Sequence, residues 1–75
     1  MKRYSTQSLY EAAYLIACGF SFISKDSSAQ KTTLIFEDSP ALRSSVQKFY
    51  NGDATVRAKL FVDRYRDLKD MIFQR

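Results

Sequence analysis

The segment Lys31-Thr32-Thr33-Leu34-Ile35-Phe36-Glu37-Asp38-Ser39-Pro40 contains a strand pattern that leads directly into a helix start. Thr32, Leu34 and Phe36 alternate with the residues between them, as in a β-strand that turns one face toward a core. Ser39-Pro40 predicts the start of a helix, because a serine oxygen caps free backbone N–H groups and proline at the first helical position loses no hydrogen bond. Residues 31–40 therefore predict a fold with both strands and helices.

A second strand is predicted just before this segment. Residues 20–25 also alternate with a period of two, and Phe20 and Phe22 point the same way. The polar residues 26–30 suit a five-residue hairpin loop. An antiparallel strand pair is therefore expected.

The N-terminal part of the chain predicts a helix. Ser8 and Glu11 have the spacing of a capping box, so the helix is expected to begin within residues 5–8 and to end at Gly19. Apolar residues lie on two sides of this helix, which predicts that most of its circumference is buried. They are Leu9, Tyr10, Ala12, Ala13, Tyr14, Ile16, Ala17 and Cys18.

Two more helices are predicted after Ser39. The first should span about Pro40 to Tyr50 and end at the Asn51-Gly52 turn, where glycine supplies a left-handed residue. The second should start near Thr55 or Val56, because apolar residues then recur at spacings of three and four. They are Ala54, Ala58, Phe61, Tyr65, Leu68 and Ile72.

These elements predict a single α+β domain over residues 1–75 in the order α-β-β-α-α. A two-stranded antiparallel hairpin would pack on the helices, with a short extra strand expected at Lys2 to Tyr4 or at Val56. An isolated hairpin is marginally stable and an exposed strand edge invites partners. Close helix packing, or pairing of the hairpin edge with a second copy of the chain, would stabilise such a hairpin.

The composition argues against most catalytic and membrane roles. The chain has no histidine, which removes the commonest general base and metal ligand, so we expect no enzyme activity, no metal and no cofactor. No apolar run approaches a membrane span and no secretion signal is seen. Cys18 is the single cysteine. A disulfide framework is therefore excluded, and a cytoplasmic protein is expected, with Cys18 packed in the interior.

A resemblance to known domains lies in four short segments of the sequence: Tyr4 to Leu15, Phe36 to Pro40, Tyr50 to Gly52 and Leu68-Lys69. In these segments the sequence resembles a family of short, uncharacterised bacterial and phage domains of unknown function. The likeness extends over nearly the whole chain. The resemblance implies a compact domain in a phage or mobile-element setting, and it supplies no activity or site residues.

A candidate anion site lies at the predicted start of the third helix. Arg57 and Lys59 are cations where the helix dipole is already positive, and with the Thr55 hydroxyl and free N–H groups they could hold a phosphate. The alternative, which we weigh more heavily, is that Arg57 caps the carbonyl end of the second helix or pairs with Asp53.

The aromatic residues could stack on nucleic-acid bases, but most fall on the apolar stripes and are expected in the core. Tyr4 and Tyr50 are the expected exceptions. Adjacent Glu37 and Asp38 could ligate magnesium, although the position of Asp38 is explained by attraction to a helix start.

Two functions remain open at this point. The net charge of +4 and the Arg57/Lys59 pair favour a non-enzymatic binding module for nucleic acid or an anionic small molecule. The small core and the hairpin edge favour the alternative, a protein-interaction module that self-associates or binds a larger protein.

Overall fold

The computed structural model describes residues 2–28 and 31–73. In chain order the elements are β1 (Arg3–Thr6), α1 (Leu9–Ala17), β2 (Phe22–Ser28), β3 (Lys31–Glu37), α2 (Pro40–Asn51) and α3 (Ala58–Phe73). The α+β class is confirmed. The order is β-α-β-β-α-α, because the N-terminal residues form a strand of their own.

The sheet is antiparallel with the strand order β1-β3-β2, so β3 is central. Tyr4 pairs with Phe36 across β1 and β3. On the other side Phe22 also pairs with Phe36, and a register shift between Phe22 and Ser24 marks a bulge. A third strand lets β3 form backbone hydrogen bonds on both sides, which a two-stranded hairpin does not.

The short extra strand is therefore present at the first of its two expected positions, near Lys2 to Tyr4, and not at Val56. The N-terminal strand runs to Thr6, two residues beyond the expected Lys2 to Tyr4, whereas Val56 lies in the connection between α2 and α3. The predicted loop of residues 26–30 was too long, since β2 continues to Ser28. Residues 29 and 30 lie outside the described residues.

The helices pack on the face of the sheet that carries Leu34 and Phe36, both of which are fully buried. Ala12, Ala13 and Leu15 of α1 are buried against them. Because the alanines are small, α1 approaches its neighbours closely, and it makes extensive contacts with α3 and fewer with α2. The core thus lies between α1, β3 and the inner sides of α2 and α3, which contribute Leu42 and Leu68.

The helix ends agree closely with the sequence. Ser8 Oγ accepts from the Glu11 N–H at 3.2 Å and Ser39 Oγ accepts from the Leu42 N–H at 3.0 Å, so both predicted caps are confirmed. Gly52 ends α2 with a φ of 82°, the left-handed conformation expected there. At the far end of α3, Lys25 Nζ donates to the Met71 carbonyl at 2.7 Å and so caps that helix from β2.

The start of α3 differs from the prediction. The helix begins at Ala58, and the Arg57 carbonyl accepts its first hydrogen bond, from the Phe61 N–H at 2.9 Å. Thr55 lies in the connection rather than at the cap. Within the described residues no helix is both long enough and apolar enough to cross a membrane.

Candidate functional site

A buried carboxylate lies where β1, α1 and α2 meet. Glu11, in the first turn of α1, is 1% exposed, yet its carboxylate accepts hydrogen bonds from three hydroxyl groups. The Tyr4 hydroxyl donates to Oε2, the Tyr50 hydroxyl donates to Oε1, and Thr6 Oγ1 donates to Oε1 at 3.1 Å. We call Glu11, Tyr4, Thr6 and Tyr50 the Glu11 network.

This arrangement replaces half of the expected capping box. In a capping box the Glu11 side chain would return to the Ser8 N–H. Instead that N–H donates to Thr6 Oγ1 at 3.1 Å, which frees the Glu11 carboxylate to turn inward. A sequence signal for this exists, since Glu11 is a charged residue inside a helix predicted to be buried on most sides. An unpaired buried charge is costly, so hydroxyl partners were to be expected.

An arginine covers the outer side of the Glu11 network. The Arg43 guanidinium lies 4.8 Å from the centre of the Tyr4 ring and donates two hydrogen bonds to Asp38, both at 2.9 Å. Those bonds hold the pKa of the Asp38 carboxyl below its usual value. The carboxylate of Asp38 therefore has Arg43 as its partner, and this contact explains its position without a magnesium ion.

The Glu11 network is suited to joining elements rather than to chemistry on a substrate. Burial, followed by the hydrogen bond to Glu11, raises the pKa of Tyr4 above its usual value. The hydrogen bond to Glu11 is the larger cause that raises the pKa of Tyr50. Both phenols are thus held as neutral donors at ordinary pH, and a carboxylate this buried is not open to a substrate.

A pair of tyrosines stacks where α1 and α3 cross. The rings of Tyr10 and Tyr65 are 4.9 Å apart between centroids and inclined by 3°. Phe61 continues the stack beyond Tyr65 at 6.5 Å. The Tyr10 hydroxyl hydrogen-bonds Tyr65 and raises its pKa, so the two phenol groups lie side by side. We call Tyr10 and Tyr65 the tyrosine stack.

The side of α3 next to the tyrosine stack is basic. Five exposed residues follow one another at alternating spacings of three and four, which places them along one stripe of the helix. They are Lys59, Val62, Arg66, Lys69 and Phe73, and we call them the α3 stripe. Lys69 Nζ lies 5.8 Å from the centre of the Tyr65 ring, so the α3 stripe and the tyrosine stack are continuous.

An open groove of about 300 Å³ follows this surface, and Val62, Tyr65, Arg66, Lys69 and Asp70 line it. Asp70 is the acidic member of that lining. Lys59 forms an ion pair with Asp63 at 3.2 Å. The two cations that line the groove are thus Arg66 and Lys69.

The predicted anion corner is spread over a connection and a helix start. Thr55 and Arg57 are exposed in the segment before α3, whereas Lys59 is in its first turn and pairs with Asp63. Neither alternative role for Arg57 is present: the end of α2 is capped by the Gly52 and Asp53 N–H groups. In the part of the chain that the structure describes, the Arg57 side chain has no ionic partner.

Several other side chains differ from expectation. Cys18 is exposed at the end of α1, so the prediction of a packed thiol was wrong. Tyr50 is exposed as expected, but Tyr4 is half-buried because its hydroxyl reaches Glu11, and Tyr10 is exposed instead. Among residues 2–28 and 31–73, no three acidic or cysteine side chains gather as a metal site would require.

Comparison with known proteins gives one match. Residues 1–74 match the sequence model of a family described as Domain of unknown function (DUF5659). No curated protein and no solved structure matches the chain. The suspected resemblance to a domain family of unknown function is therefore confirmed.

Proposed function

The chain belongs to the family Domain of unknown function (DUF5659), and we propose that this member is a non-enzymatic module that binds nucleic acid. The observation that carries the proposal is the α3 stripe, which presents three cations and two apolar side chains along one exposed side of a helix. Phosphates attract such cations, and apolar side chains between them suit contact with sugars or bases.

The placement of the acidic side chains supports this proposal. Glu11 is withdrawn into the interior, and Asp38 is held by Arg43 at the start of α2. Neither carboxylate therefore lies at the α3 stripe, because Glu11 faces the interior and the charge of Asp38 is balanced by Arg43. Asp63 and Asp70 remain near the α3 stripe, so we expect weak binding that is sensitive to salt.

We also propose a cytoplasmic location and a phage or mobile-element setting. The free, exposed Cys18 supports a reducing compartment, since exposed thiols are readily oxidised elsewhere. The setting rests on the family resemblance alone. Detection of the native protein in the cytosolic fraction would test the location.

The test of nucleic-acid binding is a titration of labelled DNA and RNA oligonucleotides at low salt, followed by fluorescence anisotropy. Changing Arg66 and Lys69 together to glutamine should weaken binding and reduce the slope of log affinity against log salt by about 1.4 to 1.8. Lys31→Gln with Lys48→Gln is the matched control, because it removes the same charge from β3 and α2. The control should keep the wild-type slope.

Arg57→Gln with Lys59→Gln tests the predicted anion corner in the same assay. A larger loss of affinity in this variant than in the Arg66/Lys69 variant would move the site to the start of α3. No binding to any oligonucleotide by the wild-type protein would refute the proposal. Binding of a mononucleotide as tight as that of the oligonucleotides would replace nucleic acid with an anionic small molecule.

The alternative to nucleic-acid binding is that the chain is a protein-interaction module, and the edges of the sheet favour this function. Both β1 and β2 are edge strands, and Ile23 in the bulge of β2 is exposed. A second copy of the chain pairing along β2 would cover that edge. Sedimentation over a range of concentrations tests this: a dimer that Ile23→Lys dissociates supports it, and a monomer throughout refutes self-association.

A further inference from the structure

The tyrosine stack contains one ring that core packing does not explain. Tyr65 packs against the core and against Phe61, so core packing explains the position of its ring. Tyr10 covers Tyr65 from outside and keeps 58% of its own surface exposed. A large aromatic ring left this exposed offers an open face to a ligand.

The geometry of the stack is that of a platform. The two rings are nearly parallel and come from different helices, so each is oriented by the packing of α1 on α3. Arg66 and Lys69 line the groove that begins at Tyr65. Tyr10 does not line that groove itself but stacks on Tyr65, which does, so an aromatic face and two cations belong to one surface, and this combination can hold a base and its neighbouring phosphates.

We propose that the exposed face of Tyr10 stacks on an unpaired base, so that the partner is a single-stranded nucleic acid. This inference rests on the proposed function and specifies its substrate class. In a duplex the faces of the bases are already covered by their neighbours, so the face of Tyr10 has nothing to stack on except at an end. In a single strand each base can turn outward onto the ring while its phosphates meet Arg66 and Lys69.

The span of the three cations in the α3 stripe sets the size of the site. From Lys59 to Lys69 the helix rises by about 15 Å. A strand with bases about 3.4 Å apart covers that length with about four nucleotides. We therefore expect affinity to rise with length up to about that size and to change little with base sequence, because every base has a face that can stack.

The experiment compares three probes of equal length at low salt: a single-stranded oligothymidylate, a blunt duplex, and a single strand of abasic sugar-phosphate units. The single strand should bind most tightly, and loss of its bases should weaken binding to the level of charge attraction alone. Equal affinity for all three probes would overturn the platform and leave the proposed function standing.

Variants of Tyr10 separate the contribution of its aromatic ring to binding from that of the nearby cations. Tyr10→Ala should weaken binding of the single strand by about 5- to 150-fold, whereas Tyr10→Phe keeps the ring and should stay within about twofold. Ile23→Ala is the matched control, since it removes an exposed apolar side chain from β2, away from α3 and from the Glu11 network; its folded state is verified by circular dichroism. It should leave affinity unchanged.

The outcomes distinguish the two proposals. If Tyr10→Ala binds as the wild type does while the Arg66/Lys69 variant is weakened, the tyrosine stack is not the platform but the nucleic-acid module stands. If no probe binds the wild-type protein, the proposed function fails and this inference fails with it.

Discussion

Replacing Glu11 with glutamine tests the Glu11 network, because the two side chains have nearly the same shape. Glutamine keeps one oxygen for the hydroxyls of Thr6 and Tyr50, but its NH₂ group then faces the Tyr4 hydroxyl, which donates to Oε2 in the native protein. Two donors meet, and the half-buried Tyr4 must turn its proton away from its partner.

The expected cost follows from that mismatch. A hydrogen bond to a charged group contributes about 1.5 to 3 kcal/mol, and loss of the charge also weakens the other two, so Glu11→Gln should cost about 2 to 4 kcal/mol. A 75-residue domain has a free energy of unfolding of about 4 to 11 kcal/mol. The change therefore removes a large share of the stability, and Tm should fall by about 10 to 25 °C.

Urea denaturation with a double-mutant cycle measures the effect and its source. Tyr4→Phe should cost about 1.5 to 3 kcal/mol in the wild-type protein and close to nothing in the Glu11→Gln protein, where it removes the mismatched donor. Tyr14→Phe is the control, since Tyr14 lies on the same helix but its hydroxyl bonds Cys18 and Ser45 rather than Glu11, and its effect should be the same in both backgrounds. A Glu11→Gln protein as stable as the wild type would refute the reasoning, as would additive effects of Glu11 and Tyr4.

Three further predictions follow from the same contacts. Because the pKa of Tyr4 is raised from 10.0 in the folded protein, its contribution to stability should be complete below about pH 10 and be lost as pH rises through the folded pKa. Thermal unfolding at increasing pH should show that loss as a falling Tm, and Tm should fall less in Tyr4→Phe. Ser39→Ala should cost about 1 kcal/mol by removing the cap of α2, and an unchanged denaturation midpoint would show that Ser39 does not cap. Gly52→Ala should cost about 1 to 2 kcal/mol, because its φ of 82° disfavours a Cβ although no atom lies within 4 Å of it, and Gly52→Asn should cost less; equal stability of all three proteins would contradict the left-handed turn.

The helices of this fold could be predicted because their ends carry local signals. Ser39-Pro40 and Gly52 determine the ends of α2 through caps that need no tertiary partner. The strand β1 had no such signal. Its four residues alternate weakly, and they form a strand because the second edge of β3 is free to pair with them.

The Glu11 network could not be predicted as a unit, because its members come from three elements separated along the chain. The hydroxyl of Tyr50 lies 39 residues from Glu11, and local periodicity says nothing about such a distance. The start of α3 was missed for a related reason. No serine, aspartate or asparagine stands immediately before Ala58, and the apolar repeat continues back through Ala54 although the helix does not.

Glu11 and Tyr10 are adjacent on α1, so their side chains point about 100° apart around that helix, and Glu11 is buried whereas Tyr10 is exposed. Glu11 is bonded to β1 and α2, which limits rotation of α1 about its axis. Because Tyr10 is part of the same helical turn, this restraint also determines the angle at which its ring meets Tyr65. A binding surface is most effective when rigid elements orient it. A polar network buried under α1 would thus orient an aromatic ring on the surface, and variants of Glu11 that remain folded should bind single strands less tightly without having lost any ligand contact.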